Sequence, residues 1–419
     1  MNLRDRLRRI RSDFIRSDSI RAINPQKNDD HADVSSVEIP PSWESCGHLC
    51  LKRSLIIDSV IPPGEPFPKA LGILVPDLAF MTIASDKENL RPEDLLFFDL
   101  ETTGLSGGAG TVAFLAAFGR FEKNTLAVTQ YLLLDYPGEN DFLEAILKEF
   151  SSSIIVSYNG KTFDAQIFRN RCLMNGIMPP EYRHADLLHP CRRLWKRILP
   201  SCSQGQIESS VLGLDRTDDV PGAMAPEIWF SFLKSGDFSA LEGIANHNVK
   251  DISGLAHIFA ALVKIARAPL QSRKIYHHDI ENLALRWRQF LRSAASRGPF
   301  PEETETAKTL LQTAADEAFP RAAYILAGDL FRQGNHDEGI RYLQKITGGN
   351  FPLEDRPGEN QQAALQALAY RKLSIDADRR QGRPDLALFY LDEALALGNL
   401  RETLRGELEG RRERVSCHS

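Results

Sequence analysis

The segment 94–100, DLLFFDL, constrains the fold most. Side chains alternate between the two faces of a strand, so Leu95, Leu96, Phe97 and Phe98 are apolar on both. A strand of this kind belongs in the middle of a sheet that is covered on both sides. The flanking pattern agrees. TVAFLAAFGRFE (111–122) and LAVTQYLLLD (126–135) read as two more strands, split by a turn at 123–124. ENDFLEAILKEF (139–150) has helical periodicity, and SIIVSYNG (153–160) returns to a strand. FDAQIFRNRCLMNG (163–176) is helical and stops at Gly176, RHADLL (183–188) is a short strand, and 241–266 form a long helix. Three meandering strands followed by alternating helix and strand predict an α/β domain over 90–268, with a mixed five-stranded sheet flanked by helices.

A chain of 419 residues is long for one core, and its ends read differently. Past residue 270 no strand pattern survives. LAGDLFRQGNHDEGIRYLQKI (326–346) and IDADRRQGRPDLALFYLDEAL (375–395) each give a helix, a Gln-Gly turn and a second amphipathic helix. They predict an all-α, tetratricopeptide-like region over 269–419 that is a candidate surface for a protein partner. The offset from Gly334 to Gly382 exceeds the roughly 34 residues of a regular array. Residues 1–45 read as an arginine-rich amphipathic helix, with Leu3, Leu7, Ile10 and Phe14 on one face, and a proline-punctuated linker. Residues 46–89 read as a β-rich lead-in. It opens with CGHLC, where Cys46, His48 and Cys50 invite a zinc reading. No second ligand pair follows at zinc-finger spacing, so half-buried strand thiols are expected.

A net charge of −5 does not advertise a nucleic-acid binder, although an active site made of carboxylates itself lowers the total. No apolar run reaches the ~18–20 residues of a membrane helix, and 1–22 lacks a signal-peptide core. A cytoplasmic protein with reduced cysteines is expected.

Asp99 and Glu101 lie at i and i+2 on the central strand and so point to one face. Two like charges side by side in a sheet interior are costly unless a positive group compensates. Adjacent carboxylates at the end of such a strand suit a hard divalent cation, Mg2+ or Mn2+. Asp164 closes YNGKTFD between a strand and a helix, after Phe163. Asp251 closes HNVKD in the long helix, one turn after His247. In an otherwise apolar stretch, an aspartate with a titratable neighbour favours function.

FDLETTG, YNGKTFD and HNVKD resemble the three motifs of the DEDD, or DnaQ-like, 3′–5′ exonuclease superfamily, of ribonuclease H-like fold. More narrowly, DLETTGLSGGAGTVAFLAAFGRF, DLLHPCRRLWK, LPSC and HNVKDISGLA resemble the YprB-like ribonuclease H-like proteins of bacteria. The resemblance covers about 90–265. It implies two-metal phosphodiester hydrolysis of DNA or RNA. Asp99 would bridge both ions, Glu101 and Asp251 would complete one site, and Asp164 would support the second. His247 would orient and deprotonate the attacking water. Here the sequence departs from the histidine branch of that superfamily: the branch's base position is occupied by Asn246, and His247 stands where the other branch carries tyrosine.

On the substrate side, Thr102, Gly104, Asn159 and Phe163 of the same motifs are expected to meet the nucleotide. The glycines of SGGAG (106–110) lack the Lys-Ser/Thr of a P-loop and lead into a strand, so they read as a tight turn beside the metals. Arg192, Arg193 and Trp195 form either a phosphate-contacting ridge with a stacking ring or a helix anchored by its tryptophan. Asp186 reads equally as a site residue or a helix cap. The leading reading is a divalent-metal nuclease. The alternative is a non-catalytic nucleic-acid-binding or scaffold protein that keeps the fold.

Overall fold

The computed structural model describes residues 37–58, 92–104, 110–122, 125–150, 154–214, 219–295, 300–349 and 359–417. The expected N-terminal helix, the turn at 123–124 and nearly all of the glycine-rich segment lie outside these residues.

The strands are β1 (Glu44–Gly47), β2 (Cys50–Asp58), β3 (Leu95–Thr102), β4 (Ala113–Glu122), β5 (Thr125–Leu133), β6 (Ile154–Ser157) and β7 (Arg183–Asp186). They form one sheet in the order β1-β2-β5-β4-β3-β6-β7. β6 and β7 run parallel to β3 and to each other, and every other pairing is antiparallel. The five expected strands are present, with β3 central as its two apolar faces require. The sheet is two strands wider than the five expected. The lead-in is no separate layer, because β2 pairs with β5 along its whole length, from Cys50–Leu133 to Asp58–Thr125.

Helices α1 (Glu139–Leu147), α2 (Asp164–Met174), α3 (Leu188–Trp195), α4 (Gln204–Val211), α5 (Ala225–Ser235) and α6 (Ser239–Arg267) cover the sheet. Alternation along β3 divides the core. Leu95 and Phe97 join the cluster under α6, with Ile252 and Phe259, while Leu96, Phe98 and Leu100 join the opposite cluster with Phe142 of α1, Phe168 of α2 and Trp229 of α5. Gly119 of β4 allows α6 to press close, since a Cβ there would stand 2.5 Å from the Ile252 Cγ2. By the same alternation Asp99 and Glu101 face α6.

Beyond α6 the chain is helical throughout the described residues: α7 (Pro269–Tyr276), α8 (Ile280–Ala294), α9 (Pro301–Asp316), α10 (Pro320–Arg332), α11 (His336–Thr347), α12 (Glu359–Arg379), α13 (Pro384–Ala396) and α14 (Glu402–Ser416). Gly334 and Gly382 take positive φ (84° and 62°) at the turns of the two repeated hairpins. At Gly339 a Cβ would stand 2.4 Å from the Phe331 ring, which is how closely α10 and α11 pack. The apolar cluster under α6 continues without a break into these helices, through Trp287, Leu310 and Leu343. Among the described residues no helix is long and apolar enough to cross a membrane.

Candidate active site

Three elements converge at the end of β3. The strand supplies Asp99 and Glu101. The turn after β6 and the start of α2 supply Asn159, Phe163 and Asp164. α6 supplies His247 and Asp251 one helical turn apart. All of these residues, with Thr102, Tyr158, Gly222 and Pro226, line one cleft of about 240 Å3. The four acids separated by up to 152 positions in sequence thus share a single surface.

Local chemistry explains each placement. Asn159 adopts the left-handed region (φ 62°), and Gly160 follows because a Cβ there would meet the Ser157 Oγ at 2.4 Å and the Asp164 Oδ2 at 2.9 Å. Buried Asp186 organises that turn by accepting from the backbone N–H of Asn159 (2.7 Å) and Lys161 (3.2 Å), and it also caps α3 through Leu188 N–H (3.0 Å). It is therefore both a cap and a support for Asp164. Thr102 donates its hydroxyl to the Gly104 carbonyl (3.0 Å), closing the strand end toward the glycine-rich segment.

His247 sits between two carboxylates. Its Nδ1 lies 2.8 Å from the Asp219 Oδ2 and its Nε2 3.2 Å from the Asp251 Oδ2. Burial works against the imidazolium, but these two partners outweigh it and push the histidine up to about 9. Gly222 gives the ring room, since a Cβ there would stand 2.9 Å from Nε2.

The acids are held in the opposite sense. Burial, then the charges of Asp251, Asp164 and Glu101, raise Asp99 well above the carboxylate range, opposed by a hydrogen bond from Asn248 Nδ2 to Asp99 Oδ2 (2.6 Å). Burial and Asp251 push Glu101 up to about 8, and burial and Asp186 push Asp164 up to about 7. A hard dication is what such a set of oxygen donors suits, since it would supply the missing positive charge. Glu101, His247 and Asp251 each offer a ligand atom within 4.8 Å of the others. Among the described residues this is the one group of three or more His, Cys, Asp or Glu side chains with such spacing.

Behind the acids runs a buried polar chain that sequence reasoning missed. Arg53 of β2 donates through Nε to the Gln130 Oε1 (2.6 Å), and Gln130 Nε2 donates to the Asn248 Oδ1 (2.8 Å). Asn248 then donates to Asp99. Arg53 also reaches Glu242 (2.8 Å) and Asn246 (3.0 Å) on α6. Asn246, at the position of the histidine branch's base, is thus an acceptor for Arg53. Gln130 was visible as a lone amide in an apolar strand. Asp219 carried no signal, because its role depends on a loop meeting α6.

One expectation is corrected. Trp195 does not stack on a base: it is 1% exposed, and its Nε1–H donates to the Tyr276 carbonyl (2.8 Å). Its large apolar ring anchors α3 against the helices that follow α6. Arg192 is exposed on the same helix and Arg193 is half-buried; neither lines the cleft.

Residues 96–263 match a family model described as the RNase_H superfamily, so this part of the chain is a ribonuclease H-like domain. Over 190 residues the chain is 36% identical to "Uncharacterized protein YprB" of Bacillus subtilis (strain 168), covering 44% of this chain and 46% of that protein. The chain thus spans about half the length of that relative. Among solved structures it is similar to the family B DNA polymerase of the hyperthermophilic archaeon Pyrobaculum calidifontis. That likeness has 15% identity and a TM-score of 0.32, over 47% of this chain and 29% of the polymerase.

Proposed function

We propose that this cleft hydrolyses phosphodiester bonds of nucleic acid with Mg2+ or Mn2+ bound to Asp99, Glu101, Asp164 and Asp251, as a 3′–5′ exonuclease. One observation carries the reading: four carboxylates line one cleft, at least three of them disfavoured as anions, with an imidazole between two acids as the cation beside them. A fold gains nothing from leaving that repulsion uncompensated. When bound, two divalent cations would ionise the acids, activate water and stabilise the leaving oxygen.

The chain's own residues do the rest. Asp219 holds Nδ1 and so directs Nε2 of His247 toward Asp251 and the cleft. With the Asp251 charge taken up by a bound cation, His247 would give up its proton and could then accept that of the water at Nε2, Asp219 stabilising the imidazolium that results. The Asn248 amide, held by Gln130 and through it by Arg53, keeps Asp99 turned to the cleft. Asn159 and Phe163 form the wall on which the terminal nucleotide rests.

The test is purified protein on end-labelled single- and double-stranded DNA and RNA, with Mn2+ or with EDTA. Mononucleotides released from the 3′ end with Mn2+ alone are expected. Cleavage that persists in EDTA or in Asp99→Ala would overturn the reading.

A further inference from the structure

The lead-in hairpin holds two thiols in contact. Cys46 on β1 and Cys50 on β2 flank the turn at His48 and Leu49, and their Sγ atoms are 3.1 Å apart. Both are free cysteines. The turn that brings them together is clamped from outside. His48 N–H donates to the Asp141 Oδ2 of α1 (2.6 Å), and Leu134 N–H donates to the Leu49 carbonyl (2.9 Å). Leu49 takes positive φ (51°), and Gly138 packs so close that a Cβ on it would stand 2.5 Å from the His48 carbonyl. The contact between the sulfurs is therefore built into the fold, where flexible thiols would have drifted apart.

The two sulfurs differ in access. Cys50 is 1% exposed within the apolar cluster that includes Trp43, whereas Cys46 is half-buried. The hydrogen bond from Cys50, outweighing desolvation and aided by Lys52 and Lys148, holds the Cys46 thiol below its usual range, while that same bond and burial push Cys50 up. The accessible thiol is the one favoured as thiolate, and the thiolate is the nucleophile.

We propose that Cys46 and Cys50 are a dithiol modification site, oxidised to an intramolecular disulfide by a low-molecular-weight disulfide, with Cys46 attacking and Cys50 resolving. The Cys46 thiolate attacks one sulfur of the small disulfide, forming a mixed disulfide and releasing one small thiolate. Cys50 then attacks the Cys46 sulfur, its proton passing to the released thiolate, and expels the second small thiolate. Two protein thiols are oxidised and one small disulfide is reduced to two thiols. Once Cys46 is in the mixed disulfide its negative charge is gone, and with it a main restraint on ionising Cys50.

The experiment incubates the full-length reduced protein with oxidised glutathione and reads intact mass and mapped peptides. The wild type is expected to lose two hydrogens at a linked Cys46–Cys50 peptide and to retain no glutathione at either residue. Cys50→Ser, with Cys50→Ala as a second variant, is expected to accumulate glutathione on Cys46, and Cys46→Ser to carry none on Cys50. Adducts on exposed Cys417 map separately and serve as an internal control. A glutathione adduct that persists on wild-type Cys46, or no modification of Cys46 under conditions that label Cys417, would overturn the proposal.

Discussion

Two pairs of acids in this chain share one spacing. Asp99 and Glu101 stand in DLE; Asp279 and Glu281 stand in DIE. The second pair is more deeply buried, at 4% and 0% exposure, yet it is fully partnered. Arg197 spans both, through Nε to Asp279 (2.6 Å) and Nη1 to Glu281 (3.0 Å). Asp279 also caps α8 by accepting from Asn282 N–H (2.8 Å), and Glu281 accepts from Ala322 N–H (2.9 Å). These carboxylates pin α8 to the turn after α3 and to α10. At the first pair Asp99 has a neutral amide, Asp251 and Asp164 add further negative charge to both, and only His247 opposes them, at Glu101. The spacing is the same and the partnership is not: one pair is matched by arginine and backbone amides, whereas the other, in the function proposed above, is left for a bound cation.

The sharpest way to break the comparison is to neutralise each pair in turn. Asp99→Asn is expected to lower nuclease turnover by about 10²–10³-fold or more. It should also raise the Tm of the metal-free protein, because the cost of holding an ionisable carboxyl among buried acids is gone. Glu281→Gln is expected to do the reverse in stability, costing about 1–3 kcal/mol in denaturant unfolding as Arg197 loses half its fork. If both variants destabilise alike, the distinction fails.

A second prediction concerns the histidine. Asp219→Asn removes the carboxylate charge beside Nδ1 and is expected to cost about 10–100-fold in turnover, with the pH profile displaced to lower pH. An unchanged profile would mean that Asp219 does not hold the base.

Arg53→Met tests whether the lead-in strand supports the site. It leaves Gln130 without its donor and is expected to cost about 1–3 kcal/mol in stability, with a smaller loss of turnover through Asn248 and Asp99.

The smallest effect is a slope. Glu101, Asp164 and His247 all have folded-state values raised above their ordinary ones, to about 8, 7 and 9. A raised group binds its proton more tightly folded than unfolded, so its stabilisation is present at low pH and lost as pH rises through the folded value. In EDTA, Tm should therefore fall between about pH 5 and pH 9 from this site. Excess Mn2+ should flatten or reverse that trend.

Much of this was legible in the sequence because it is periodic. Leu95–Phe98, apolar on both faces, required a central strand, and the i, i+2 spacing set Asp99 and Glu101 on one side of it. What was not legible is partnership. Nothing local shows that β2 would pair with β5 some 75 residues later, which turned a lead-in into two sheet strands. Trp195 among arginines looks like a stacking platform until Tyr276, 81 residues on, takes its N–H. The same holds for Asp219 and for Arg53, whose roles arise where a loop and the second strand of the sheet meet α6.

The most direct measurement is calorimetric titration of metal-stripped protein with Mn2+ near pH 7.5, repeated in buffers of different ionisation enthalpy. The account predicts binding accompanied by proton release, because acids held partly protonated must ionise to take the cation, and a loss of both in the Asp99→Asn, Glu101→Gln double variant. Absence of binding, or binding without protons released and undiminished in that variant, would contradict it.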